Sequence, residues 1–315
     1  MRIITLGHKC NSRQYGTYDN RPEVIFDYGI IERLEGACDE HRIQKSEMQG
    51  AYSHEEHYKK VNQVQKLLIP SGKLTGIAGP TNHGKSLLLM NTLLNVAKKY
   101  NQTVAIFNLE MSREQLAMRL MSGESFVDSQ KMATGKLSDD EWEKLCLASA
   151  ALSQTDIRVD DNPAITVAEM NAKLRRVENL GLVIIDYLQL MNGSGYGKGG
   201  DNRVQVVSEI SRSLKIMAKE LNVPVVCLSQ LSRAVESRTD KRPILSDLRE
   251  SGAIEQDADS VMFLYRDDYY NPNSEEKGIT ECIVQKNRHG EVGTVKLQWI
   301  PQYQTFADRE WKHAE

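Results

Sequence analysis

The chain has few of the features that mark membrane-bound or secreted proteins. No apolar run in its 315 residues approaches the ~20 residues that a membrane-spanning helix needs. The apolar stretch within residues 1–8 is also too short for a secretory signal. Only five cysteines occur, and an odd number scattered along the chain indicates free thiols rather than a disulfide framework. We therefore expect a cytoplasmic or nucleoid-associated protein.

The chain also has no large net charge of either sign. The formal net charge is −3, from 40 basic and 43 acidic residues. This value neither supports nor excludes nucleic-acid binding, because a local basic site, or one repeated around a ring, can hold DNA on a mildly acidic protein. With 40% hydrophobic and 26% charged residues, the composition is that of an ordinary soluble globular protein. The length suits one large α/β domain with an appendage, or two modest domains.

Histidines and cysteines near the N-terminus raise one metal-binding alternative. His8 and Cys10, together with Cys38 and His41, could supply four zinc ligands. The single residue between the first two is an unusual spacing for zinc, and the second pair lies in a polar stretch of helical character. We expect ordinary polar or buried residues at these positions, with zinc as the alternative.

What the chain does contain is the pattern of a phosphate-binding loop. Residues 79–86 fit G-x-x-x-x-G-K-S and lie between a strand-like apolar stretch at 74–78 and a helix-like apolar stretch at 87–94. Glycines let backbone N–H groups turn towards a polyphosphate, and the helix N-terminus adds partial positive charge. Lys85 is expected to reach the outer phosphates, and Ser86 to bind Mg²⁺. The expected nucleotide-binding residues are Gly79, Pro80, Thr81, Asn82, His83, Gly84, Lys85 and Ser86.

Strand-like and helix-like stretches alternate along most of the chain. This alternation predicts an α/β fold with a mainly parallel central sheet and covering helices. The predicted strands are 1–6, 74–78, 103–109, 157–159, 182–186, 223–228 and 259–265, followed by a closing hairpin of 279–286 and 293–299. The predicted helices include 29–34, 54–68, 112–122, one that begins after Ser138, 166–179 and 204–221. A glycine-rich stretch at 192–200 predicts a flexible loop.

Three polar side chains follow predicted strands, at the edge where open α/β sheets bind ligands. Asp186 ends one strand, in a position from which a carboxylate holds Mg²⁺. Glu110 follows a second strand and could orient and deprotonate an attacking water. Gln230 follows a third, where an amide could hydrogen-bond a γ-phosphate and signal its loss. The alternatives are a turn aspartate, a helix-terminal glutamate and a satisfied loop amide.

Two cations and one polar segment complete the candidates. Lys286 and Arg288 fall on the same face at the end of a predicted strand, and two cations on one face suit a phosphate. They suit an arginine-finger role best if they reach into the site of a neighbouring subunit. The segment 246–257 is predicted as a loop that turns into a short helix. Its backbone N–H groups around Gly252, together with Arg249, could bind a phosphodiester. An exposed basic strand end and a solvated loop are the respective alternatives.

Five motifs, in this order, resemble the motor domain of DnaB-type replicative helicases. They are N-L-E-M-S at 108–112, I-I-D-Y-L-Q-L at 184–190, L-S-Q-L-S-R at 228–233, the segment 246–259, and Q-K-N-R at 285–288. The match spans roughly residues 54–306, and five long motifs in sequence make it specific. The resemblance implies a RecA-like P-loop NTPase fold and a hexameric ring, with ATP at subunit interfaces and single-stranded DNA in the central channel.

The resemblance also implies a role for each candidate residue. The residues that match catalytic positions are Lys85, Glu110, the γ-phosphate sensor Gln230, and the cations Lys286 and Arg288 supplied by the adjacent subunit. The residues that match Mg²⁺-binding positions are Ser86 and Asp186. The residues that match the DNA-contacting loop are Arg249, Glu250 and Gly252.

The chain departs from the family pattern in two places. Residues 1–52 form a short extension before the predicted motor domain, 53–315, where family members usually carry a larger helical collar. The role of this extension, and contacts with primase or a helicase loader, stay open. The phosphate loop carries Asn82 and His83 where small or apolar residues are more usual, and we expect His83 to face solvent, with pH sensing as the alternative.

The function predicted from these observations is an ATP-dependent DNA helicase motor, acting in replication at the nucleoid or in a phage replication complex. A RecA-like recombination or repair ATPase that forms filaments on DNA is one alternative. A helicase-like loading module that does not unwind DNA is another. The complete catalytic set argues against the loading module, since a pure adaptor has no need of Glu110 and Arg288.

Overall fold

The central feature of the computed structural model, which describes residues 2–4, 59–191 and 203–308, is one large sheet. Its ten strands within these ranges follow the order β1-β4-β3-β5-β6-β2-β7-β8-β9-β10. In chain order they are β1 Arg2–Ile4, β2 Leu74–Ala78, β3 Thr103–Asn108, β4 Ile157–Asp160, β5 Leu180–Asp186, β6 Val225–Ser229, β7 Ser260–Tyr265, β8 Ile279–Asn287, β9 Gly293–Ile300 and β10 Thr305–Asp308. The predicted helix at 29–34, the four possible zinc ligands and the loop at 192–200 fall outside the described residues.

The middle of the sheet is parallel. Strands β4, β3, β5, β6, β2 and β7 pair in parallel. Strand β1 pairs antiparallel with β4 at one edge, and β8, β9 and β10 continue antiparallel beyond β7 at the other. Strands β2, β3, β6 and β7 are buried along their whole length, as expected of strands covered on both faces. The predicted α/β fold with a mainly parallel sheet is confirmed, and so is the closing hairpin.

Helices cover both faces of the sheet. They are α1 Lys59–Leu68, α2 Lys85–Lys99, α3 Arg113–Ser125, α4 Ser129–Thr134, α5 Asp139–Leu152, α6 Val167–Leu174, α7 Arg203–Leu221, α8 Gly252–Asp257 and α9 Asp267–Tyr270. Short 3₁₀ turns occupy Leu188–Leu190, Arg233–Ser237, Leu245–Ser251 and Pro301–Tyr303. In the part of the chain that is described, no helix is long and apolar enough to cross a membrane.

Local sequence signals account for several helix ends. Capping boxes begin α3, α5 and α6, each pairing an N-terminal Ser or Thr with a Glu or Gln three residues later. Helix α6 is shorter than predicted and ends at Leu174, because the chain must turn to enter β5 and Asn179 adopts a left-handed φ of 51°. Helix α4 and strand β10 were not predicted, since six and four residues are too few to show a periodicity.

The core has two layers because alternate strand residues face opposite sides of the sheet. The layer under α2 joins apolar side chains of the strands with those of the helix, among them Ile77, Ile106, Ile184, Leu88 and Leu93. The layer under α7 is built in the same way, from residues that include Phe107, Val183, Ile185, Leu214 and Met217. Since β2, β3, β5 and β6 are parallel neighbours, their carboxyl ends meet at one edge, where the candidate residues lie.

Candidate nucleotide-binding site

The phosphate loop connects β2 to α2 and depends on two glycines. Gly84 adopts a left-handed φ of 89°, and a Cβ atom there would lie 2.6 Å from Cζ of Phe306. A Cβ atom on Gly79 would lie 2.7 Å from the carbonyl oxygen of Leu264. Among the described residues no side chain caps the N-terminus of α2, so its first N–H groups are available to an anion. The predicted strand, loop and helix are therefore all present.

The ammonium group of Lys85 lies within the loop. Its Nζ atom donates to the carbonyl oxygens of Gly79 and Pro80, both at 2.8 Å. Burial lowers the pKa of Lys85 to about 8, against the raising effect of Asp186 and Glu110. A lysine held by loop carbonyls beside two carboxylates is a cation kept close to the helix N-terminus, where a phosphate would bind.

Ser86 and Asp186 form the part of the site that suits a metal ion. The Ser86 Oγ atom donates to Oδ2 of Asp186 at 3.1 Å, and Asp186 is only 2% exposed. Burial raises the pKa of Asp186 to about 6, and the Glu110 charge adds to this, whereas the Ser86 hydrogen bond and Lys85 lower it. A hydroxyl and a carboxylate are the oxygen ligands that Mg²⁺ prefers. These two residues would hold the ion, and their role as metal ligands stays a prediction.

Glu110 is exposed and follows β3 at the same edge of the sheet. It lies in a turn that sequence reasoning did not explain. The Oδ1 atom of Asn108 accepts the backbone N–H groups of Glu110 and Met111, at 3.3 and 3.1 Å. Asn108 pairs with Asp186 across β3 and β5, and the N–H of Leu109 donates to the Asp186 carbonyl at 2.7 Å. The turn thus places Glu110 close enough to Asp186 for its charge to raise the pKa of that carboxyl group. An asparagine two residues before the glutamate was the available signal.

Asn108 also carries an unused hydrogen-bond donor. Its side chain is 1% exposed, and Nδ2 has no partner among the described residues. The orientation of the amide follows from its partners, because only the oxygen can accept two backbone N–H groups. Asn108 is therefore a functional candidate that the sequence analysis missed.

Gln230 follows β6 and is exposed. Its backbone, rather than its side chain, has defined partners: the N–H donates to Oε1 of Gln189 at 3.2 Å. The side chain of Gln230 therefore stands at the same sheet edge as Asp186 without a hydrogen bond that restrains it among the described residues. Gln189 is a second residue whose contribution sequence reasoning missed.

Lys286 and Arg288 do lie on one face, as strand alternation predicts. The Lys286 ammonium donates to the carbonyl oxygen of Glu255, and Nη2 of Arg288 donates to that of Gln256 at 2.5 Å. Burial and the Arg288 charge lower the pKa of Lys286. Both cations therefore contact the last turn of α8 in their own subunit. Their action on a neighbouring subunit stays a prediction.

The segment 246–257 contains two short helices rather than a loop and one helix. A 3₁₀ turn, Leu245–Ser251, leads directly into α8 at Gly252. Asp247 holds the turn, since its Oδ2 accepts the N–H of Ile244 and a hydrogen from Arg238 Nη2, both at 2.7 Å. The side chains of Arg249 and Glu250 lie outside the described ones, so the predicted DNA contact at these residues and Gly252 stays a prediction.

The expectation that His83 faces solvent is wrong. The ring is fully buried, and its centroid lies 4.9 Å from that of Tyr269 and 5.6 Å from that of Tyr270. The Nδ1 atom is 2.8 Å from the Thr81 carbonyl oxygen, and burial lowers the pKa of His83 to about 4. The tyrosines come from α9, which is distant in sequence, so local polarity could not reveal this packing. The ring thus joins the phosphate loop to α9.

Comparison with known proteins identifies the family. The family described as DnaB-like helicase C-terminal domain matches residues 41–308. The replicative DNA helicase DnaB of Geobacillus stearothermophilus is 52% identical over 242 residues, which cover 76% of this chain and 53% of that protein. The replicative DNA helicase DnaC of Bacillus subtilis (strain 168) is 52% identical over 237 residues, covering 74% and 52%. The chain spans about half the length of these relatives.

Solved structures agree with the family match. One solved structure, described as an ATPase domain, superposes with a TM-score of 0.72 at 40% identity, covering 76% of this chain and 86% of that one. A DnaB-like replicative helicase, described with its interactions with primase, gives a TM-score of 0.72 at 35% identity and covers 91% and 67%. The RecA-like fold that the resemblance implied is confirmed. The chain belongs to the DnaB-like helicase C-terminal domain family.

Proposed function

We propose that this chain is the ATP-driven motor of a replicative DNA helicase and translocates on single-stranded DNA as a hexameric ring. The observation that carries the proposal is the convergence of Lys85, Ser86, Glu110 and Asp186 at one edge of the sheet. These groups come from the phosphate loop and from the ends of two strands. Together they supply a phosphate ligand, two metal ligands and a base.

The residues divide the work of ATP hydrolysis between them. Glu110 takes a proton from water as the water oxygen attacks the γ-phosphorus, and the bond to the β-phosphate oxygen breaks. Lys85 neutralises charge that develops on the phosphate oxygens. Mg²⁺, held by Ser86 and Asp186, would supply further positive charge to the phosphates. Lys286 and Arg288 of an adjacent subunit complete the site, and Gln230 responds to the loss of the γ-phosphate.

The same fold supports the DNA-binding part of the proposal. The segment 246–257 directly precedes β7, which pairs with the phosphate-loop strand β2. A change at the nucleotide can therefore reach Arg249, Glu250 and Gly252 through adjacent elements. Contacts to the phosphodiester backbone are independent of sequence and sensitive to salt. We propose that the ring acts in the cytoplasm at replicating DNA, with primase or a helicase loader as further protein partners.

The test is ATP hydrolysis by the purified chain with and without single-stranded DNA, together with its mass in solution. We expect turnover that DNA stimulates, in a particle of six subunits, and loss of turnover in Lys85→Ala. Arg249→Ala is expected to weaken DNA binding on all sequences and to reduce its salt dependence. Filaments on DNA would favour the recombination ATPase instead. A chain without turnover at any concentration would favour the loading module.

A further inference from the structure

Gln189 makes an unusual set of contacts at the edge of the sheet. It lies in the 3₁₀ turn Leu188–Leu190, three residues after Asp186, and is partly buried. Its Nε2 atom donates to the Ser229 Oγ atom at 2.8 Å and approaches the Gln230 carbonyl oxygen at 3.4 Å. Its Oε1 atom accepts the Gln230 N–H at 3.2 Å. One side-chain amide thus binds both backbone polar groups of Gln230.

The contact between Gln189 and Gln230 lies just beyond the point where the pairing of β5 with β6 ends. Strands β5 and β6 pair through Val183 with Val225, Ile184 with Val226, and Ile185 with Cys227. Beyond that register the two strands continue to Asp186 and Ser229 without pairing to each other. A planar amide carries a donor and an acceptor side by side, so it can pair with one residue's N–H and carbonyl as a neighbouring strand does. Gln189 therefore extends the link between the two strand ends to Gln230.

The position of this link gives it a functional consequence. Asp186, on the β5 side, belongs to the metal-binding pair with Ser86. Gln230, on the β6 side, is held by its backbone while its side chain is exposed. Fixing the backbone limits where the Gln230 amide can reach, which lowers the entropy lost when that amide binds a ligand.

We propose that Gln189 is the positioning residue for the γ-phosphate sensor: it holds Gln230 at a set distance from the metal-binding strand end. This inference rests on the proposed function, in which Gln230 reads the terminal phosphate. The hydrogen bonds of Gln189, and not the bulk of its side chain, let the site distinguish a nucleoside triphosphate from a diphosphate.

The test compares affinities for ADP and for a non-hydrolysable ATP analogue, with Mg²⁺ present, by fluorescence titration. The variants are Gln189→Met, which keeps the side-chain length but removes the amide, then Gln230→Ala and the double variant. Gln154→Ala, an exposed glutamine in a different turn, is the matched control. We expect Gln189→Met to bind the ATP analogue about tenfold more weakly, with ADP affinity unchanged. The double variant should lose no more than Gln230→Ala alone.

Each other outcome has a definite meaning. Full discrimination in Gln189→Met, combined with its loss in Gln230→Ala, would overturn the positioning role and leave the sensor role intact. Equal weakening of both nucleotides in Gln189→Met would reduce Gln189 to a structural contact. Full discrimination in Gln230→Ala would remove the sensor role from the proposed function. Thermal melting of every variant verifies that the comparison is made on folded protein, and the methionine keeps the packing that alanine would remove.

Discussion

Lys85 and Asp186 are a cation and an anion whose pKa values shift towards each other. Burial raises the pKa of Asp186 to about 6 and lowers that of Lys85 to about 8. In both residues burial outweighs the attraction of the opposite charge, because removal from water disfavours any charged form. The site of the nucleotide-free chain therefore has both charges only within a narrow range of pH.

Nucleotide affinity should follow that range. Below about pH 6 Asp186 becomes protonated and loses its charge for the metal, and above about pH 8 Lys85 loses its proton. Affinity for ADP with Mg²⁺ is therefore expected to be highest between these values and to fall on both sides. Fluorescence titrations across the range measure it. Asp186→Asn should remove the fall in affinity at low pH and keep the fall at high pH. An unchanged fall at low pH would mean that another group causes it.

Asn108 is expected to set the position of Glu110. In Asn108→Ala the N–H groups of Glu110 and Met111 lose their acceptor, and the turn that carries Glu110 relaxes. A displacement of the proposed base by about 1 Å would lower turnover by roughly tenfold to a hundredfold. The measurement is kcat for ATP, alongside the affinity for ADP, which should change little.

Asn162→Ala is the matched control for this change. Its Oδ1 atom accepts the N–H of Ala164 in the same kind of turn in a different loop. Loss of turnover in both variants to the same extent would show a general effect of removing an asparagine side chain that holds a turn. Loss in Asn108→Ala alone assigns the effect to Glu110.

At the scale of elements, strand β10 holds helix α1, which is the first helix of the described residues. The carboxylate of Asp308, at the end of β10, accepts the N–H of Lys60 at 2.9 and 3.0 Å and that of Val61 at 3.1 Å. These are N–H groups in the first turn of α1 that have no partner within the helix. A residue 248 positions away thus acts as the cap, and helix α1 packs against the core layer under α2.

Replacing Asp308 should destabilise the fold and leave nucleotide binding unchanged. Asp308→Ala is expected to lower the free energy of unfolding by about 0.5–2 kcal/mol, the usual cost of a lost N-terminal cap. Urea denaturation measures the change. Asp140→Ala, an exposed aspartate in the first turn of α5, is the control and should cost less. Equal effects would mean that the long-range hydrogen bonds contribute little.

At the scale of the whole molecule, the two cations near α8 raise the question of which site they serve. Lys286 and Arg288 contact backbone carbonyls at the end of α8, and no contact to the phosphate loop of their own chain is seen among the described residues. A cation held at the surface of one subunit can complete the site of its neighbour in a ring. Turnover would then require two subunits.

Mixing two inactive variants tests this directly. Arg288→Ala is expected to bind nucleotide almost normally but to hydrolyse it very slowly, and Lys85→Ala to lose binding. In a mixed ring, an intact phosphate loop from the first variant can face an intact Arg288 from the second. Turnover should therefore reappear on mixing and depend on the ratio of the two chains. A mixture as inactive as its components would place Arg288 in its own subunit's site.

The parts of the fold that could be predicted are those with local causes. Long apolar stretches predicted the parallel strands, because a strand buried on both faces is a continuous run of apolar residues. Capping boxes predicted the main helices, because a cap depends on residues only three positions apart. Short elements such as β10 could not be predicted, since four residues carry little pattern. The spacing of the phosphate-loop motif likewise predicted the loop between β2 and α2 that carries Lys85 and Ser86.

The sequence by itself determined the family, the α/β fold and the residue types at the nucleotide site. Only the tertiary structure decided which distant residues support them. His83 is buried against tyrosines of α9, Asn108 and Gln189 hold the turns of Glu110 and Gln230, and Asp308 caps α1. The physical reason is that these contacts join polar or aromatic groups from separate elements. Whether such groups find partners depends on the register of the sheet and not on their neighbours in sequence.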